Sequence, residues 1–86
     1  MALDMRAASL VAVGAAVAAN CQPCLEINVR RALVCGVTAQ DISDAVEVGR
    51  KVRAGAASKL DRFAGTLEIP PTASTAILNA GCDCGL

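Results

Sequence analysis

The chain has 86 residues, of which 55% are hydrophobic and only one is aromatic, with eight basic residues, eight acidic residues and no histidine. A zero net charge gives no basic stripe for a nucleic-acid footprint, and a single phenylalanine gives no platform on which bases stack. Without histidine the usual neutral-pH proton shuttle is missing.

This length holds one domain at most. Much of the apolar content is alanine, so a lone core would be shallow. We therefore expect a homo-oligomer that buries surplus apolar surface between subunits.

The first predicted helix runs from about Leu3 to Ala19. Ala7 to Ala19 is apolar except for Ser9. Ala16-Val17-Ala18 imitates a signal-peptidase site, but Asp4 cancels the charge of Arg6, whereas a signal peptide needs a positive start. As a helix this stretch spans only ~20 Å, too short for a bilayer. The expectation is a buried helix in a cytoplasmic protein with no membrane partner. A helix apolar on every side is buried on every side, which again points to an oligomer. Gly14 would permit close helix contact.

The second helix is predicted from Gln22 and Pro23 to Cys35. Proline suits a first helical turn because its missing N–H has no partner there. Gly36 is a natural residue to follow the last turn. Leu25, Val29, Ala32 and Leu33 form one apolar stripe, while Cys24, Asn28, Arg31 and Cys35 share a different, narrower arc.

A third helix begins at Thr38-Ala39-Gln40-Asp41, which resembles a capping box with aspartate in the acidic place. Ile42, Ala45, Val46, Gly49, Val52, Ala56, Leu60, Phe63 and Leu67 then follow helical spacing. Glu47 and Lys51 are spaced as an i,i+4 pair. Gly49 and Gly55 are expected to weaken and bend the helix, and Pro70-Pro71 to end it. The domain is thus expected over 1–70. The remainder, 71–86, is read as a tail with a short fourth helix around Ala73 to Asn79 and a Cys-x-Cys at Cys82 and Cys84. There is no strand alternation and no internal repeat, so the fold class is all-α with three main helices.

The chemistry lies in Asn20-Cys21-Gln22-Pro23-Cys24. A Cys-x-x-Cys pair can close into a disulfide and reopen without unfolding anything. At a helix start the unpaired N–H groups and the positive end of the dipole favour a thiolate, which is the nucleophile. On this argument Cys21, beside the helix start, is the attacking thiol. Cys35 lies ~16 Å along the same helix from Cys24, beyond the ~7 Å Cα separation a disulfide allows, and is expected in the core. Cys82 and Cys84 are open to three readings: a relay to Cys21, a zinc half-site completed by Cys21 and Cys24, or no role. Five cysteines, an odd number, fit a reducing compartment better than a secreted disulfide framework.

The stretch Val13 to Lys59 resembles the carboxymuconolactone decarboxylase / alkylhydroperoxidase-D-like family. The likeness is carried by Ala18-Ala19-Asn20-Cys21-Gln22-Pro23-Cys24, by Arg31-Ala32-Leu33, by Gly36-Val37-Thr38 and by Asp41-Ile42-Ser43-Asp44-Ala45-Val46-Glu47-Val48-Gly49. The resemblance implies an all-α domain built into dimers, trimers or hexamers. It also implies reduction of peroxides or disulfides through the cysteine pair, fed by a protein reductant, with no cofactor. Because the decarboxylase branch lacks the pair, the peroxidase branch is favoured. In that branch Cys24 passes through sulfenic acid, and Cys21 is the proton donor and disulfide partner. The family's histidine four residues after the second cysteine is Asn28 here, which can hydrogen-bond but cannot take a proton at neutral pH. The family's glutamate in the preceding helix has no counterpart, since that helix offers only Asp4 and Ser9. Glu26 projects ~160° away from Asn28.

Three functions follow from these residues. The first is a thiol–disulfide oxidoreductase or peroxidase using Cys21, Cys24 and Asn28. The second is a thiolate metal sensor or carrier using Cys21, Cys24, Cys82 and Cys84. The third is an oligomeric scaffold that has lost the proton relay.

Overall fold

The structure, a computed structural model, describes residues 2–70. It is all-α, and no strand occurs among the described residues. Three helices follow in order: α1 (Met5–Ala18), α2 (Gln22–Val34) and α3 (Ala39–Ala64). The short fourth helix expected around Ala73 to Asn79, with Cys82 and Cys84, lies outside the described residues.

Local chemistry sets each boundary. Asp4 caps α1, its Oδ1 accepting from the Ala7 N–H at 2.8 Å. That supplies one of the orphan donors of the first turn with a charged acceptor at the favourable end of the dipole. At the other end of α1 the Asn20 N–H donates to the Val17 carbonyl at 3.1 Å and the Cys21 N–H to the Ala16 carbonyl at 2.9 Å. Asn20 has φ 56°, the left-handed conformation that asparagine tolerates better than most residues. Gly36 plays the same part after α2, with φ 81°; its N–H bonds to the Leu33 carbonyl and the Val37 N–H to the Ala32 carbonyl, both at 3.0 Å. Thr38 caps α3, its Oγ1 accepting from the Asp41 N–H at 3.1 Å.

The core gathers Val13 from α1, Ala32 from α2, Val37 from the second turn and Ile42 from α3. Leu10, Leu25, Val29, Cys35, Ala45 and Val46 close around it. α1 packs against both other helices, which touch each other little. Within the single chain two neighbours leave one side of α1 uncovered: Val11 is 59% exposed. Leu33, at the flank of the α2 stripe, is 54% exposed for the same reason.

The glycines expected to bend α3 leave it unbroken through Gly49 and Gly55. Gly49 is buried against α1, where a Cβ would lie 2.5 Å from the Gly14 carbonyl oxygen and 2.8 Å from the Val17 Cβ. Its absence of a side chain serves a helix crossing. Glu47 pairs with Arg50 at 3.5 Å, one residue short of the Lys51 partner its spacing suggested. Beyond Arg53 every described residue of α3 and the following segment is exposed, so the last three turns project past the bundle.

Candidate redox site

The site is made by the turn that joins α1 to α2. The left-handed Asn20 reverses the chain within one residue and delivers Cys21 as the N-cap of α2, with Pro23 in the first turn and Cys24 directly after it. N-cap and third helical residue lie on the same side of a helix start. Their Cα atoms are 5.3 Å apart, and Cys21 and Cys24 are joined as a disulfide.

Cys21 is half-buried and Cys24 is exposed. Cys21 makes no side-chain capping bond to the first turn. An N-cap side chain normally accepts from the N–H groups of the first turn, so a free thiolate at Cys21 would stand where those donors point. Beside Cys21 opens a cavity of about 300 Å³, lined also by Asn20, Leu25, Val46, Arg50 and Arg53.

Arg53 is the residue that sequence reasoning missed. Its Nη1 donates to the Val17 carbonyl at 3.1 Å and to Asn20 Oδ1 at 3.0 Å. α3 thereby ties down the turn that presents Cys21. The signal was present: Arg53 falls at i+4 from Gly49 and i+7 from Val46, inside the stripe that faces α1. Arg6 does the matching work at the second turn, donating from Nε to the Cys35 carbonyl at 3.2 Å and from Nη2 to the Gly36 carbonyl at 3.1 Å.

Asn28 sits one turn after Cys24, but its amide is turned onto the backbone. Nδ2 donates to the Cys24 carbonyl at 2.8 Å. A short amide side chain reaches its own helix readily, and this bond commits one of the two amide hydrogens to the backbone. Glu26 pairs with Arg30 at 2.8 Å on the exposed side of α2. Asp4 caps the far end of α1, and Ser9 is buried with its hydroxyl donating to the Arg6 carbonyl at 2.9 Å. None of these brings a proton-transfer group to the cysteine pair. Cys35 lies at the opposite end of α2, a half-buried free thiol against the core.

For the metal reading, Cys21 and Cys24 spend their sulfurs in one disulfide, whereas zinc binds thiolates. Cys82 and Cys84 lie outside the described residues. Among the described residues no group of three or more metal-ligating side chains converges. No helix among them is long and apolar enough to cross a membrane.

Fold and site together define a small all-α protein carrying a Cys-x-x-Cys disulfide at a helix start. The family model for the carboxymuconolactone decarboxylase family matches residues 1–64, and the chain belongs to that family. No curated protein and no solved structure is similar to the chain at a significant level.

Proposed function

We propose that the protein is a thiol–disulfide oxidoreductase of the alkylhydroperoxidase-like kind, faster in disulfide exchange than in peroxide reduction. The observation that carries this reading is the Cys21–Cys24 disulfide itself, closed across the first turn of α2 between an exposed residue, Cys24, and the N-cap residue, Cys21.

Reduction begins with a thiolate of the reductant attacking Sγ of Cys24, the more exposed residue of the pair. The disulfide bond breaks, and Cys21 leaves with the electron pair as a thiolate facing the first-turn N–H groups. A well-stabilised thiolate leaves faster. A second thiolate then attacks the reductant's sulfur in the mixed disulfide, which frees Cys24 and oxidises the reductant by two electrons. In the opposite direction the Cys24 thiolate takes one oxygen from a peroxide and becomes sulfenic acid, while the other oxygen leaves as an alcohol or water. Cys21 attacks the sulfenic sulfur, water departs and the disulfide re-forms. Both oxygen departures need a proton, and Asn28 holds no titratable one. A missing positioned acid or base costs ~10²–10⁴ in rate, so the peroxide half is the slow one. Cycling of this kind belongs in a reducing compartment, which makes the cytoplasm the proposed setting.

The test is turnover of a small disulfide with a dithiol reductant by the wild type, Cys21→Ser and Cys24→Ser. Both variants are expected to fall to the rate of buffer alone. An unchanged rate in either contradicts the proposal. The bond from Asn28 to the Cys24 carbonyl favours a second reading, a family scaffold that has lost its chemistry. A wild type inert toward both the small disulfide and a peroxide would support it.

A further inference from the structure

One side of α3 carries a charge pattern that forms no ion pair among the described residues, although Asp44 Oδ1 accepts from Gln40 Nε2 at 2.9 Å. Asp41, Asp44, Val48, Val52, Gly55, Lys59, Arg62 and Phe63 fall within an arc of ~100°. Val48, Val52 and Phe63 are each more than half exposed. The first half of this face forms one wall of an open apolar groove of about 710 Å³, whose other wall is α1 with Val11, Gly14 and Ala15. The second half continues along the turns that project past the bundle.

The pattern is symmetric in position and opposite in sign. Asp41 and Arg62 are equidistant from the point between Lys51 and Val52, and so are Asp44 and Lys59. None of the four has an ion-pair partner among the described residues. Gly55 sits between them, in mid-helix, where a Cβ would meet nothing within 4 Å. A glycine in such a place costs a helix ~1 kcal/mol relative to alanine, and its own protomer offers no packing reason for it. Close approach of another backbone is such a reason.

We propose that this face is a homotypic interface in which a second copy lies antiparallel along α3, related by a two-fold axis near Lys51 and Val52. Asp41 and Asp44 of one protomer meet the partner's Arg62 and Lys59, and the same contacts repeat on the other side of the axis. Val48 sits over the partner's Gly55, a large residue against a small one. The projecting turns of each copy, with Phe63, fill the groove between α1 and α3 of the other. This is an isologous contact, self-complementary in shape and charge. A parallel pairing would set aspartate against aspartate and cation against cation. Arg50, Arg53 and the cavity beside Cys21 lie on the opposite side of α3, so the disulfide stays open in the pair. The inference does not depend on the redox reading.

Sedimentation equilibrium of the whole chain, with circular dichroism as a check on folding, tests it. The wild type is expected to form a dimer or a larger even-numbered assembly. Asp41→Lys with Asp44→Lys, or Lys59→Glu with Arg62→Glu, is expected to weaken self-association by at least roughly tenfold, less so at high salt. Mixing the two double variants restores opposite charges at both ends and is expected to recover the wild-type mass. That recovery also shows that both variants fold. A monomeric wild type overturns the proposal, whether its groove then takes residues 71–86 of its own chain or another protein. So do charge-reversed variants that associate as the wild type does, and a mixture that fails to recover.

Discussion

Gly49 and the carbonyl oxygen of Gly14 meet with no side chain between them. An added Cβ at Gly49 would stand 2.5 Å from that oxygen, closer than real carbon atoms come. The oxygen belongs to the backbone of α1, so it cannot swing aside. α1 and α3 are therefore held at a separation that only glycine permits, and this crossing supports the turn that carries Cys21.

Gly49→Ala is expected to destabilise the protein by ~1–3 kcal/mol, the usual cost of overpacking, although alanine is the better helix former. Urea denaturation should show a lower midpoint with an unchanged slope. A variant as stable as the wild type would mean that the two helices separate freely.

The bond between Arg53 and Asn20 gives a second expectation. Arg53→Met keeps the aliphatic stem and loses both hydrogen bonds, at a cost of ~1–3 kcal/mol. Asn20→Gly keeps the left-handed turn and loses only the acceptor. A double-mutant cycle between these two substitutions should return a coupling of ~0.5–1.5 kcal/mol. Strictly additive effects would show that the contact holds nothing in place.

Asn28→His tests the missing proton carrier. Peroxide turnover is expected to rise by up to ~10²-fold, with a smaller change in disulfide exchange. An equal rise in both reactions would place the effect on cysteine reactivity in general. Asn28→Ala removes only a backbone-directed bond at a half-buried position, and its effect on stability should stay within ~0.5 kcal/mol.

Loss of a cap is a simpler matter. Asp4→Ala and Thr38→Ala each remove an acceptor for a first-turn N–H, at ~1 kcal/mol apiece. Because the two caps lie on different helices and share no partner, the double variant should lose the sum, measured again in urea.

The three helices were legible because their ends carry strong local signals. Pro23 after Cys21, Gly36 after Cys35 and Thr38 before Asp41 each act through their own backbone or side chain, and such effects do not wait on tertiary structure. Asp4 was not read as a cap, although its carboxylate caps α1. The cysteine pair was legible for the same local reason as the helix ends, since three residues of helix set its span. The supporting residues were not. The bond from Arg53 to Asn20 joins residues 33 apart, and helix spacing alone does not say which turn a half-buried arginine will reach. The exposure of Val11 and Leu33 depends on how many neighbours a helix has. Periodicity along one helix does not contain that number.

The most direct measurement is an equilibrium titration of the whole chain in dithiol buffers of graded potential, with mass spectrometry counting alkylation at Cys21 and Cys24. The account predicts that both sites gain label together in one two-electron transition, with a slope near ~30 mV per decade and helicity unchanged throughout. Two cysteines that take label independently, or helices that melt when the bond opens, would contradict it.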